Sequence, residues 1–244
     1  MNVLKRAAAV GAIGLAGAAG LAQGAMIDLT TAGSSGVING ARFSTNEQQP
    51  TGTGVFNPFV RLQMNGFEQG YNTSGSSLPF DEKPGIWTHD LRLSEIGTTV
   101  VDGVEHYEFR LDINQSNGGP NRFLSLDKVQ IYTSGIGSQT TTNVASLGTL
   151  RYDLDAGGDN WVKLDYSLGH GSGSGDMTML VPVSNFSGAD TDAFVYLYSA
   201  FGTHHSANAG FEEWAAKPAT LIPTPGTIVC ALFGAALLKR RQRK

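Results

Sequence analysis

From His106 to Asn114 the chain alternates without a break: Tyr107, Phe109, Leu111 and Ile113 are apolar or aromatic, and Glu108, Arg110, Asp112 and Asn114 are polar. A repeat of two places all four apolar side chains on one face of an extended strand, whereas a helix would scatter them around its axis. The device recurs. Val162, Leu164, Tyr166 and Leu168 alternate with Lys163, Asp165 and Ser167, and Met177, Met179, Val181 and Val183 alternate with residues that include Thr178 and Pro182. Between Ala25 and Trp214 no stretch sustains a 3.6-residue repeat, and Gly, Asn, Ser and Asp punctuate the runs. The expectation is an all-β domain.

Further strands are expected at Val37 to Ser44, Val55 to Gln63, Trp87 to Ser94, Thr98 to Val101, Phe123 to Tyr132, Gly148 to Asp153 and Phe194 to Phe201. Phe194 to Tyr198 is apolar on both faces, which suits a central strand covered on each side. Pro58 and Pro182 lack a ladder donor and are expected on edge strands. About ten short strands predict an antiparallel β-sandwich of jelly-roll type, with an immunoglobulin-like sandwich as the alternative. Residues 66–83 and 133–146 are expected as loops, and Phe211, Glu212, Glu213 and Trp214 as a closing strand with one carboxylate facing inward.

Both ends of the chain differ from this middle. Residues 1–24 combine Lys5 and Arg6 with an Ala/Gly/Leu-rich run and small residues at Ala22 and Gly24, the pattern of a signal peptide cut by signal peptidase after Gly24. At the other end, Pro223-Thr224-Pro225-Gly226-Thr227 leads into an apolar run ending at Leu238, followed by the basic residues 239–244. From Pro223 to Leu238 a helix would be about 24 Å long, short of the ~30 Å hydrocarbon layer. Such a segment suits transient retention, with its basic end cytoplasmic and the preceding domain exported. The expected organisation is thus a signal peptide (1–24), a β-sandwich ectodomain (25–214), a linker (215–222) and a sorting tail (223–244), with a transmembrane helix at about 226–238.

The tail resembles the PEP-CTERM sorting signal of exported bacterial proteins: Pro223, Pro225, Gly226 and Thr227 fit, and Thr224 stands where that family has Glu. The resemblance implies recognition by an exosortase, a membrane protease or transpeptidase, and a place at the cell surface or in an extracellular, exopolysaccharide-containing matrix. Residues 157–166 and 171–177 also look like segments of uncharacterised exported ectodomains carrying such tails.

Seven of the 17 basic residues lie in the two terminal segments, which contain no Asp or Glu. The domain between them holds ten basic against 21 acidic groups, a net of −11. A surface of that sign repels phosphates, so nucleic acid is excluded as a partner. The lone cysteine, Cys230, lies in the tail, so the ectodomain has no disulfide.

Within the domain, Asp153, Asp155, Asp159 and Asn160 surround a Gly-rich turn and supply the oxygens that a calcium ion takes, with Asp176 an added ligand only if the 171–175 loop folds alongside; the alternative is an Asp/Gly β-turn. Trp87, Trp161 and Trp214 are candidates for stacking on carbohydrate. Glu108 and Asp112 share a strand face but stand about 13 Å apart, too far for a glycosidase pair, and Arg110 between them reads as a neutralising partner. His204-His205 could share a metal ion only from a loop. The sequence therefore predicts an exported, non-enzymatic surface or matrix protein. A carbohydrate-binding module and a jelly-roll glycoside hydrolase or lyase are the alternatives.

Overall fold

The computed structural model describes residues 24–45, 57–116, 118–169, 175–208 and 210–220. Among them sixteen strands are β1 (Met26–Asp28), β2 (Ser35–Ile38), β3 (Ala41–Thr45), β4 (Pro58–Leu62), β5 (Asn65–Gly66), β6 (Glu68–Tyr71), β7 (Leu91–Arg92), β8 (Thr98–Val101), β9 (Val104–Asp112), β10 (Phe123–Ser134), β11 (Thr149–Asp153), β12 (Trp161–Asp165), β13 (Met177–Pro182), β14 (Phe194–Phe201), β15 (Ala207–Asn208) and β16 (Glu212–Ala216). One seven-stranded sheet runs β1-β12-β10-β14-β6, with β11 beside β10 and β7 beside β14. The other runs β2-β3-β13-β9-β16-β4, with β8 beside β9, and β5 pairs with β15 separately. All these pairs are antiparallel except β1 with β12.

The two large sheets share one apolar core. Phe109, Leu111 and Ile113 from the alternating run are fully buried there beside Met177, Met179, Val181 and Trp214 of the same sheet. Leu124, Leu126, Val129, Ile131, Val195 and Leu197 come from the other sheet. The two-sided run at 194–201 is a central strand: Val195 and Leu197 enter this core, while Tyr196 and Tyr198 join a second cluster with Tyr71 and Tyr132 on the opposite face. The expected loops cover that second face. Tyr71 Oη donates to the carbonyls of Gln139 (3.2 Å) and Thr141 (2.9 Å), and Tyr196 Oη to that of Ile136 (2.8 Å).

Several boundaries depart from the sequence expectations. Val37 to Ser44 is two strands, because Asn39 (φ 50°) and Gly40 (φ 84°) adopt the left-handed pair that closes a two-residue hairpin. Residues 66–83 contain β6, which pairs with β14. Alternation continues to Leu168, but β12 stops at Asp165, whose carboxylate accepts from Ser167 N (2.9 Å) and Oγ (2.6 Å) and caps a turn. Val183 begins a short 3₁₀ turn. Pro58 opens the edge strand β4 as expected, whereas Pro182 ends the interior strand β13, where a missing donor is tolerated. Trp87 to Ser94 holds only the two-residue β7 and a 3₁₀ turn.

The β domain expected over residues 25–214 continues past Trp214. Ala215 and Ala216 pair with Arg110 and Phe109, Gly97 N donates to Lys217 O (2.6 Å), and Ala219 N donates to Glu95 O (3.0 Å). Ala215 and Ala216 of the expected linker therefore belong to β16, and residues 217–219 are hydrogen-bonded onto the domain. Residues 1–23 of the expected signal peptide, and Pro223, Thr224, Pro225, Gly226 and Thr227 of the expected sorting motif, lie outside the described residues. Among the described residues no helix is long and apolar enough to cross a membrane.

Candidate functional site

Period-two geometry on β4 and β16 turns Val60, Leu62, Glu212 and Trp214 inward and leaves Arg61 and Glu213 outside, directly opposite each other in the register. The Arg61 guanidinium donates to the Glu213 carboxylate. It also lies 4.0 Å from the centre of the Trp87 ring and 4.7 Å from that of Phe211, a cation held against two aromatic faces. The loop carrying Trp87 is fastened to β4, since Arg61 N donates to Thr88 Oγ1 (3.3 Å) and His89 N to Phe59 O (3.0 Å). Trp87 and Phe211 are 37% and 36% exposed. They form a fixed aromatic edge with a guanidinium and a carboxylate beside them.

Trp161 has a different setting. Its ring stacks on that of His204, centroids 4.3 Å apart and planes within 4°. His204 Nδ1 lies 2.7 Å from Asp127 Oδ1, and Asp127 Oδ2 accepts from Ser125 Oγ (2.9 Å) and Thr203 N (2.7 Å). Ser, Asp and His are thus in one network, but the buried Ser125 hydroxyl is given to the aspartate rather than to the imidazole, so it is not an activated nucleophile. His205, next in the loop, turns instead toward the rings of Trp161 and Phe123, so the two histidines do not converge on one ion. Trp214 corrects the sequence expectation outright. It is fully buried and gives its indole N–H to Ser199 Oγ, so it cannot stack on an external sugar.

The Asp153–Asn160 turn spends its oxygens on the protein itself. Asp153 accepts from Asp155 N (3.0 Å) and Gln130 Nε2 (3.0 Å), and Asp155 accepts from Asn160 N (3.1 Å) and lies 3.5 Å from Lys128 Nζ. Asn160 Oδ1 accepts from Ala25 N (2.6 Å), Asn160 Nδ2 donates to Leu154 O (2.6 Å), and Asp159 is exposed. The four residues expected to hold calcium form the Asp/Gly turn that was the alternative, and they anchor the start of β1. Among the described residues no group of three or more His, Cys, Asp and Glu is placed to hold a metal ion.

Arg110 does neutralise Glu108, with Nε and Nη2 at 2.8 and 2.6 Å from Oε1. Burial alone would raise the Glu108 pKa, but the Thr99 hydroxyl and Arg110 outweigh it and hold it below the ordinary value. Asp176 behaves oppositely. Burial, reinforced by the charges of Asp112 and Asp165 and opposed by the Ile113 N–H (2.8 Å), pushes its carboxyl up to about 8.

One further group was hidden from sequence reasoning except for the inward carboxylate. Glu212 is fully buried, and there it meets Glu68 of β6 and Gln115, which follows β9. Burial raises the pKa of both glutamates, that of Glu212 strongly. Glu68 lies in the stretch expected to be a loop, so local sequence could not pair it with Glu212.

Comparison of the chain with protein-family models, with curated proteins and with solved structures finds no match in any of the three.

Proposed function

We propose that the chain is an exported, non-enzymatic protein of the cell surface or extracellular matrix, and that it binds polysaccharide at the Trp87, Phe211 and Arg61 edge. The observation that carries the binding reading is the Arg61 guanidinium seated against two rings each about a third exposed and paired with Glu213. The ring surface that Arg61 leaves uncovered takes the C–H side of a sugar ring, while the outer edge of the guanidinium–carboxylate pair offers donors and acceptors to its hydroxyls. Export and exosortase-type sorting rest on the terminal sequences and on the acidic charge of the domain between them.

A jelly-roll connectivity belongs to the same proposal. A long antiparallel hairpin of eight strands pairs first with eighth, second with seventh, third with sixth and fourth with fifth. Rolled up, it puts alternate pairs in opposite sheets. Counting β4, β6, β9, β10, β12, β13, β14 and β16 as the eight, one sheet runs first, eighth, third, sixth, and the other second, seventh, fourth, fifth. That order supports the reading. A hydrolase or lyase has less support, because Glu68 and Glu212 touch each other and are sealed from solvent.

Binding is tested with a glycan array and with polysaccharide from the producing cells. Wild-type protein is expected to bind, Trp87→Ala and Phe211→Ala to lose binding at unchanged melting temperature, and Trp161→Ala to keep it. Full binding by Trp87→Ala would sink this site. Sorting is tested by mass spectrometry of the mature C-terminus, where an intact Lys244 on surface-located protein would reject processing.

A further inference from the structure

The buried group of Glu68, Gln115 and Glu212 has too few hydrogens for its oxygens. Glu68 Oε2 accepts from Met64 N (2.7 Å), Glu212 Oε1 accepts from Gln115 Nε2, and the backbone N–H of Asn114 also acts on the Glu212 carboxylate. Glu68 Oε1, Gln115 Oε1 and Glu212 Oε2 have no hydrogen-bond partner. Glu68 and Glu212 are fully buried and Gln115 is 4% exposed, so bulk water does not serve them. An unmet buried acceptor is costly, and two carboxylates in contact away from water also repel each other.

A single proton shared by the glutamates answers only part of this. It satisfies the two carboxylates and leaves the Gln115 carbonyl oxygen bare. A divalent cation answers all of it, because it neutralises both charges and accepts the amide oxygen as a ligand. Two carboxylates and one amide carbonyl, supplied by three separate segments, are hard oxygen donors of the kind calcium takes in irregular geometry. Magnesium demands a stricter octahedron at shorter distances, which three side chains from separate segments match less readily than they do calcium's irregular shell, completed by neighbouring carbonyls or trapped water.

The position is also built rather than incidental. Glu68 opens β6 just after β5, and Glu212 opens β16 just after β15, so the β5–β15 pair brings both glutamates to one end of the molecule. A Cβ on Gly210 would meet Asn114 O at 1.4 Å; this close passage lets the chain entering β16 lie against the segment that carries Gln115.

We propose that Glu68, Gln115 and Glu212 form an interior site for a divalent cation of the calcium type, joining β6 of one sheet to β16 of the other. The site faces the interior, whereas Phe211 and Glu213, which flank Glu212 in the chain, face the polysaccharide edge, and the calcium readouts below do not depend on polysaccharide binding. Bound calcium would stabilise the fold by mass action, because the unfolded chain does not hold the three oxygens together.

The test uses the full chain, stripped with a chelator, desalted and equilibrated with calcium near neutral pH. The expected result is one calcium retained per chain by elemental analysis and a melting temperature that climbs with the logarithm of free calcium. Magnesium is expected to give a smaller shift. Glu212→Gln can donate to Glu68 as a shared proton would, so it is expected to fold while losing the retained calcium and the calcium-dependent shift. Glu68→Gln is the substitute if that variant does not fold. No retained calcium in the wild type, a melting temperature indifferent to chelator and calcium, or an unchanged response in the folded variant would each overturn the site and leave the shared proton as its occupant.

Discussion

Trp214 of β16 donates its indole N–H to the hydroxyl of Ser199 on β14, 3.1 Å away, so the largest side chain of the core is hydrogen-bonded from one sheet to the other. Both residues are fully buried. Ser199→Ala leaves the indole N–H with no acceptor in an interior that water does not reach. The expected loss is about 1–3 kcal/mol, the cost of an unmet buried donor. Trp214→Phe removes that donor as well as part of the ring, so in a double-mutant cycle the Ser199→Ala penalty shrinks when Phe occupies position 214. Urea melts of the four proteins measure this, and strictly additive effects would show that the hydrogen bond contributes nothing.

Asp176 sets a pH dependence. Its folded pKa of about 8 stands above its unfolded value of 3.8, so the folded state holds a proton that the unfolded state gives up. The stability tied to that proton is complete below the unfolded value and drains away as pH rises toward about 8. Asp176→Asn cannot ionise, yet its amide oxygen can still accept from Ile113 N. The variant is expected to flatten the decline in melting temperature between about pH 4 and pH 8, and to gain relative to wild type toward the alkaline end. Equal slopes for the two proteins would show that the carboxyl is ionised in the folded state.

What local sequence could reveal was periodicity. Phe109, Leu111 and Ile113 were legible as one buried face because alternation is a property of a single strand. That one carboxylate of Glu212-Glu213 faces inward was legible for the same reason, but which of the two was not. Register between distant strands was not, so nothing in the sequence could show that Arg61 faces Glu213 or that Glu68 meets Glu212. Trp214 misled because tryptophan chemistry suits both a sugar platform and a core, and only burial separates the two. Asn160 misled in a similar way. An amide among aspartates matches a calcium loop, but Ala25 and Leu154, distant and near in sequence, take up its two polar atoms. The Asn39-Gly40 dipeptide was a readable hairpin signal inside a run otherwise uniform enough to pass for one strand.

The segment after Trp214 bears on how the domain must be cut for study. Ala215 and Ala216 continue the pairing of β16 with β9, Lys217 Nζ donates to Thr98 O (2.8 Å) and Thr99 Oγ1 (2.7 Å), and Pro218 bridges to Ile96. A fragment of residues 24–214 strips these partners from β8, β9 and the 3₁₀ turn at 93–95, and it leaves Glu108 without the nearby Lys217 ammonium. A fragment of residues 24–220 keeps them all. The longer fragment is expected to melt several degrees higher, since a loss of even about 1 kcal/mol moves the midpoint of a domain of this size by roughly 2–4 °C. In the full chain, Lys217→Ala is expected to reproduce a minor part of that loss, because the backbone bonds of Gly97 and Ala219 survive it. Calorimetry on the three proteins makes the comparison, and equal melting temperatures for the two fragments would return residues 215–219 to the linker.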